Sequence, residues 1–155
     1  MRHKYVATVV FAALMIFAIG AQADTIWDEG IDGPLSSNPA SPTTVTLVSP
    51  SDQVLGLGPL GLHIFQFTVP VGNSVDSMII DPGSGAMTVE LVSAFINCPP
   101  LPAVTTPGEI LNGSSCAPAL PPGDYTFLVD VLTSSAWTVT VTSNVPVELL
   151  TFTVN

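Results

Sequence analysis

Between Leu62 and Val69 the chain alternates: Phe65, Phe67 and Val69 fall on one side of an extended backbone, and Ile64, Gln66 and Thr68 on the other. Period-two patterning rich in aromatic and β-branched residues, closed by Pro70 and Gly72, predicts a strand, here the central one of a sandwich. Similar runs predict strands over Thr43–Val48, Gln53–Leu57, Val75–Ile80, Met87–Phe95, Tyr125–Val131, Trp137–Thr142 and Val147–Val154. In Met87–Phe95, Met87, Val89 and Leu91 oppose Thr88, Glu90 and Val92, so one face can stay wet. Tyr125, Phe127, Val129 and Val131 line one side of their strand, and Trp137, Val139 and Val141 line another. Turn signals separate the runs, among them Gly58-Pro59-Leu60-Gly61, Asp81-Pro82-Gly83 and Pro121-Pro122-Gly123-Asp124. No segment beyond residue 23 carries a helical period with caps. The expected fold is all-β: an antiparallel sandwich or jelly roll of about eight strands, preceded by a turn-rich segment, 24–42.

The start of the chain sets the compartment. Met1-Arg2-His3-Lys4 is basic, Val6 to Ile19 is nearly all apolar, and Ala21-Gln22-Ala23 is a small-x-small exit. This predicts a signal peptide over residues 1–23, cleaved after Ala23. One domain, 24–155, is then secreted to the cell exterior or surface, or held in a periplasm, with no membrane association after cleavage. Cleavage removes Arg2 and Lys4, the two basic residues, and leaves all twelve carboxylates. Residues 24–155 then hold no Lys, no Arg and one His, a formal charge of −12. Nucleic acid is excluded as a partner, since nothing can neutralise phosphate. Cys98 and Cys116, the two cysteines, are expected to join in an oxidising compartment, stabilising the Pro- and Gly-rich loop between them by roughly 3 kcal/mol.

With the strands placed, a resemblance emerges. Phe65, Phe67, Val69, Pro70 and Gly72 form an F-x-F-x-V-P-x-G run that resembles the bacterial pre-peptidase C-terminal domain. So does Pro122-Gly123-Asp124-Tyr125-Thr126-Phe127 before a Trp/Thr/Val strand, as does the opening Asp28-Glu29-x-x-Asp32-Gly33-x-Leu35-Ser36. The resemblance spans residues 27 to 142. It implies a jelly-roll-like, non-catalytic sandwich that in some relatives binds calcium, polysaccharide or matrix protein. The tail, Val145 to Val154, is similar to a PVEL-x-x-F segment near the C-termini of exported bacterial proteins.

Few residues suggest chemistry. Asp28, Glu29 and Asp32 offer hard oxygens on a turn, a candidate calcium site. Counted from Asp28 as an EF-hand loop, Asp32 and Gly33 fit, but Gly30 and Pro39 stand where carboxylates belong. The plain alternative is an acidic turn capping its own backbone. Trp27 in this turn is the candidate surface aromatic for a sugar, whereas Trp137 belongs to the core. His63 lacks the Gly-x-Ser-x-Gly elbow or placed partner that a hydrolase would need, so no enzyme is expected and no cofactor is required, calcium being optional. Asn112-Gly113-Ser114 fits a glycosylation sequon. The last strand, with Val147, Leu149, Leu150, Phe152 and Val154, carries only Glu148 as a guard and forms a candidate assembly edge over 147–155. The expected role is a structural or adhesive surface, matrix or filament protein that associates with itself, a matrix protein or a polysaccharide. The alternative is a calcium- or carbohydrate-binding module.

Overall fold

The computed structural model describes residues 22–93, 101–111 and 119–144. Strands β1 (Asp24–Asp28), β3 (Ser51–Gly56), β10 (Trp137–Ser143), β5 (Val75–Asp81) and β8 (Gly108–Glu109) form one sheet in that order. Strands β2 (Thr43–Thr44), β4 (Gly61–Val69), β9 (Gly123–Val131), β6 (Met87–Ser93) and β7 (Leu101–Val104) form the second. A single helical turn, α1 (Glu29–Asp32), follows β1. The alternating faces meet in one core. Val54, Met78, Ile80, Trp137, Val139 and Val141 from the first sheet join Phe65, Phe67, Met87, Leu91, Tyr125 and Phe127 from the second, all at 2 % exposure or less. Phe65 lies 5.1 Å from Phe127 between ring centroids, and Phe67 stacks on Tyr125 at 5.7 Å.

The all-β class follows from the patterning, and the inward faces of β4, β6, β9 and β10 are those the alternation predicts. Four details differ. β4 is not central: β9 occupies the middle of its sheet, with β4 between it and the two-residue β2. The sheets are mixed rather than antiparallel, because β1 runs parallel to β3 and β2 parallel to β4. Periodicity fixes a strand's faces but not its direction against a neighbour. The expected Thr43–Val48 strand keeps ladder pairing only at Thr43 and Thr44, although Val45 N–H still donates to Gln66 O at 2.9 Å. The turn-rich segment contains β1 and α1, and β7 and β8 lie between the cysteine positions. The signal peptide as far as residue 21, Cys98, Cys116, the sequon and the strand at 147–155 lie outside the described residues. Among the described residues, no helix is long and apolar enough to cross a membrane.

Candidate functional site

One end of the sandwich is organised around a buried carboxylate. Asp28 caps α1 by accepting from Gly30 N–H at 2.8 Å, and Asp32 Oδ2 accepts from Asp28 N–H at 2.8 Å. This tight turn aims Glu29 inward, where it is 8 % exposed. Its Oε1 accepts from Leu35 N–H and faces His63 Nδ1, each at 2.8 Å, while Oε2 accepts from Leu57 N–H at 2.8 Å. His63, on the same face of β4 as Phe65, is 5 % exposed. Its Nε2 lies 3.1 Å from the Pro59 carbonyl. That oxygen can only accept, so Nε2–H is the donor to it.

The neighbours of this pair are equally fixed. The His63 ring meets Trp137 edge-on at 5.6 Å. Trp137 lies flat over Gly56, where a Cβ would come within 2.0 Å of Cε2. Gly58 has φ +64°, and a Cβ there would fall 1.7 Å from Ser135 O; Ser134 Oγ also donates to Gly58 O at 2.7 Å. No described residue accepts from the buried Trp137 Nε1–H. The cluster therefore ties α1, the end of β3, the 58–61 turn and β4 together. Both side chains of the pair are nearly closed to solvent.

The candidate calcium ligands do not converge here. Asp28 and Asp32 hold their own backbone, and Glu29 turns away to His63. Among the described residues, no group of three or more His, Cys, Asp or Glu side chains is placed to hold a metal ion. Trp27 packs half-buried against the core, its Nε1 donating to Gly33 O at 3.2 Å. The signal for the Glu29–His63 pair was present in part: the alternation puts His63 in line with Phe65 and Phe67, and a core imidazole needs a partner. Which of the twelve carboxylates would supply it was not readable.

Most other carboxylates are likewise occupied. Asp52, with no exposed surface, accepts from Val48 N–H, Ser49 N–H and Ser49 Oγ at 3.1, 3.3 and 3.0 Å. Burial pushes its carboxyl above the ordinary 3.8; bonds from Ser49 and Val48 oppose this, and the charge on Asp24 adds to it. Glu109 accepts from Ser77 Oγ and, through Oε1, from Met78 N–H at 2.9 Å and Leu111 N–H at 3.0 Å. Asp76, Asp81 and Asp124 accept from Ser74 Oγ, Gly83 N–H and Thr68 Oγ1. Three described carboxylates accept nothing: Asp24, Glu90 and Asp130. The last two share the outer face of the second sheet. There Asp130 lies between Leu62 and Thr88 in register, and Leu128 between Ile64 and Glu90. Leu62, Thr88, Glu90, Leu128 and Asp130 line a shallow depression of ≈ 170 Å³.

No family model matches the chain, and no curated protein matches it. In solved structures, it is similar to the pre-peptidase C-terminal domain of a collagenase from Bacillus anthracis. The identity is 16 % with a TM-score of 0.39, over 66 % of this chain and 93 % of that one. It is also similar to the periplasmic g-type lysozyme inhibitors PliG of two bacteria. For the Salmonella Typhimurium protein the identity is 16 % and the TM-score 0.40, over 67 % of this chain and 100 % of that one. For the Aeromonas hydrophila protein they are 15 % and 0.39, over 66 % and 96 %. The two-sheet architecture itself rests on the register of the strands, and similarity at this level transfers no neighbour's function.

Proposed function

We propose that this chain is an exported, non-catalytic β-sandwich that works as an adhesive module for a cationic macromolecule at or beyond the cell surface. The observation that carries the reading is the sealing of His63 against Glu29. His63 is the one side chain beyond Lys4 able to carry a positive charge. Every ionisable side chain that residues 24–155 present to solvent is therefore acidic or neutral. A surface of one sign repels copies of itself and attracts partners of the opposite sign. The same sealing removes the one imidazole from general base duty, which supports a role without chemistry.

The test uses residues 24–155, purified and passed over surfaces coated with poly-L-lysine or poly-L-glutamate. Retention on poly-lysine at 20 mM salt, its loss on raising the salt, and no retention on poly-glutamate are expected. Equal behaviour on the two surfaces would overturn the reading.

A further inference from the structure

We infer that the outer face of the second sheet is the docking face, and that it takes a lysine or arginine side chain from a protein partner between Glu90 and Asp130. The inference rests on the adhesive reading above and gives it a place and a mode.

Two facts single out this face. The other described carboxylates beyond Asp24 are each engaged by a backbone N–H or a hydroxyl of the chain itself, whereas Glu90 and Asp130 are engaged by none. They are also held close together. Thr88 stands opposite Asp130 and Glu90 opposite Leu128, so the two acids are diagonal neighbours across β6 and β9, about 7–8 Å apart at the backbone. Neighbouring like charges on one face disfavour each other, and no group among the described residues donates to either of this pair.

The depression between them selects the form of the cation. Its remaining walls are Leu62, Leu128 and Thr88. A bare divalent ion needs more oxygens at short range than two diagonal carboxylates supply. A long cationic side chain fits both halves of the site: its methylenes lie on Leu62 and Leu128, and its head bridges the carboxylates. The partner cannot be a second copy of residues 24–155, which carries neither Lys nor Arg. A basic protein segment meets the charge.

The experiment compares three forms of residues 24–155: wild type, Glu90→Gln/Asp130→Asn, and a control of equal charge, Asp76→Asn/Asp81→Asn. A fluorescent octalysine peptide is titrated into each at 20 mM salt. Methyl NMR follows Leu62 and Leu128 in the wild type. We expect at least tenfold weaker binding for the first variant, under threefold for the control, and peptide-dependent shifts at both leucines. Equal losses in the two variants, or shifts spread evenly over the protein, would overturn the docking face while leaving the adhesive reading in place. No octalysine binding by the wild type would overturn both. Sedimentation showing that the wild type self-associates, and that Glu90→Gln/Asp130→Asn does not, would assign the face to a second copy and refute the inference.

Discussion

Replacing Glu29 with Ala should damage the fold well beyond an ordinary surface change. The carboxylate receives Leu35 N–H, Leu57 N–H and His63 Nδ1, all at 2.8 Å. Its loss leaves three donors around an apolar methyl. An unsatisfied buried donor costs about 1–3 kcal/mol, and removing one member of a buried ionic pair about 3–5 kcal/mol. These overlap, and water can reach the part-buried Leu57 N–H, so we expect a total of about 4 kcal/mol. Domain stabilities are about 5–15 kcal/mol, so the variant retains a folded but weakened state. Urea unfolding of residues 24–155, followed by circular dichroism, should show the midpoint falling by about 2 M at a typical slope. A cycle with His63→Ala separates the pair from its surroundings: the double variant should lose at least about 1 kcal/mol less than the two single losses combined. A loss below about 1 kcal/mol for Glu29→Ala, or additivity within about 0.5 kcal/mol, would refute the claim that this pair anchors the end of the sandwich.

Three further outcomes follow from the geometry. Gly56→Ala puts a Cβ 2.0 Å from Trp137 Cε2, between strands locked in register; it should destabilise by about 3 kcal/mol and alter the near-ultraviolet dichroism of Trp137. In folded Asp52 the carboxyl titrates above its ordinary 3.8. Between the two values the folded state holds a proton that the unfolded state has lost, so this group's contribution is complete below 3.8 and disappears as pH rises through the folded value. Asp52→Asn should therefore lose less melting temperature than wild type between pH 3.5 and 6, and a steeper loss would contradict this sign. Tyr125→Phe removes the bond from Tyr125 Oη to Pro121 O at 2.7 Å and should cost about 1 kcal/mol in the same urea assay, with the core packing kept.

What the chain revealed before its structure depended on how local the signal was. Tyr125-Thr126-Phe127 and Trp137-Thr138-Val139 alternate without interruption, so their faces were legible residue by residue. β1 was not, because Asp24-Thr25-Ile26-Trp27-Asp28 is short and has its support in the distant β3 rather than in its own pattern. Tertiary pairing made it a strand. The direction of β1 and β2 was equally hidden, since no turn joins either to its parallel partner. At the acidic turn, Asp28 and Asp32 behave as the capping alternative describes. Glu29 departs from both readings because its partner is 34 residues away. Ile64 also falls on the side assigned to Gln66 and Thr68, yet it is fully buried. Its N–H donates to Ser36 O, an antiparallel bridge that brings the N-terminal segment alongside the edge of β4.

The position of β9 and β10 bears on when this protein can fold. Each occupies the middle of its sheet, and both come from residues 123–143, late in the chain. Gly56 must wait for Trp137, and Gly61 for Val131. Until those residues are available, β3 has no antiparallel neighbour and β4 only the two-residue β2. A chain emerging at about 5–20 residues per second therefore spends several seconds without either sheet. Closure then requires large loops to be drawn together at once, the regime in which β proteins fold over about milliseconds to seconds. Assembly is concentrated in the step that inserts β9 and β10 between strands whose residues come earlier in the sequence.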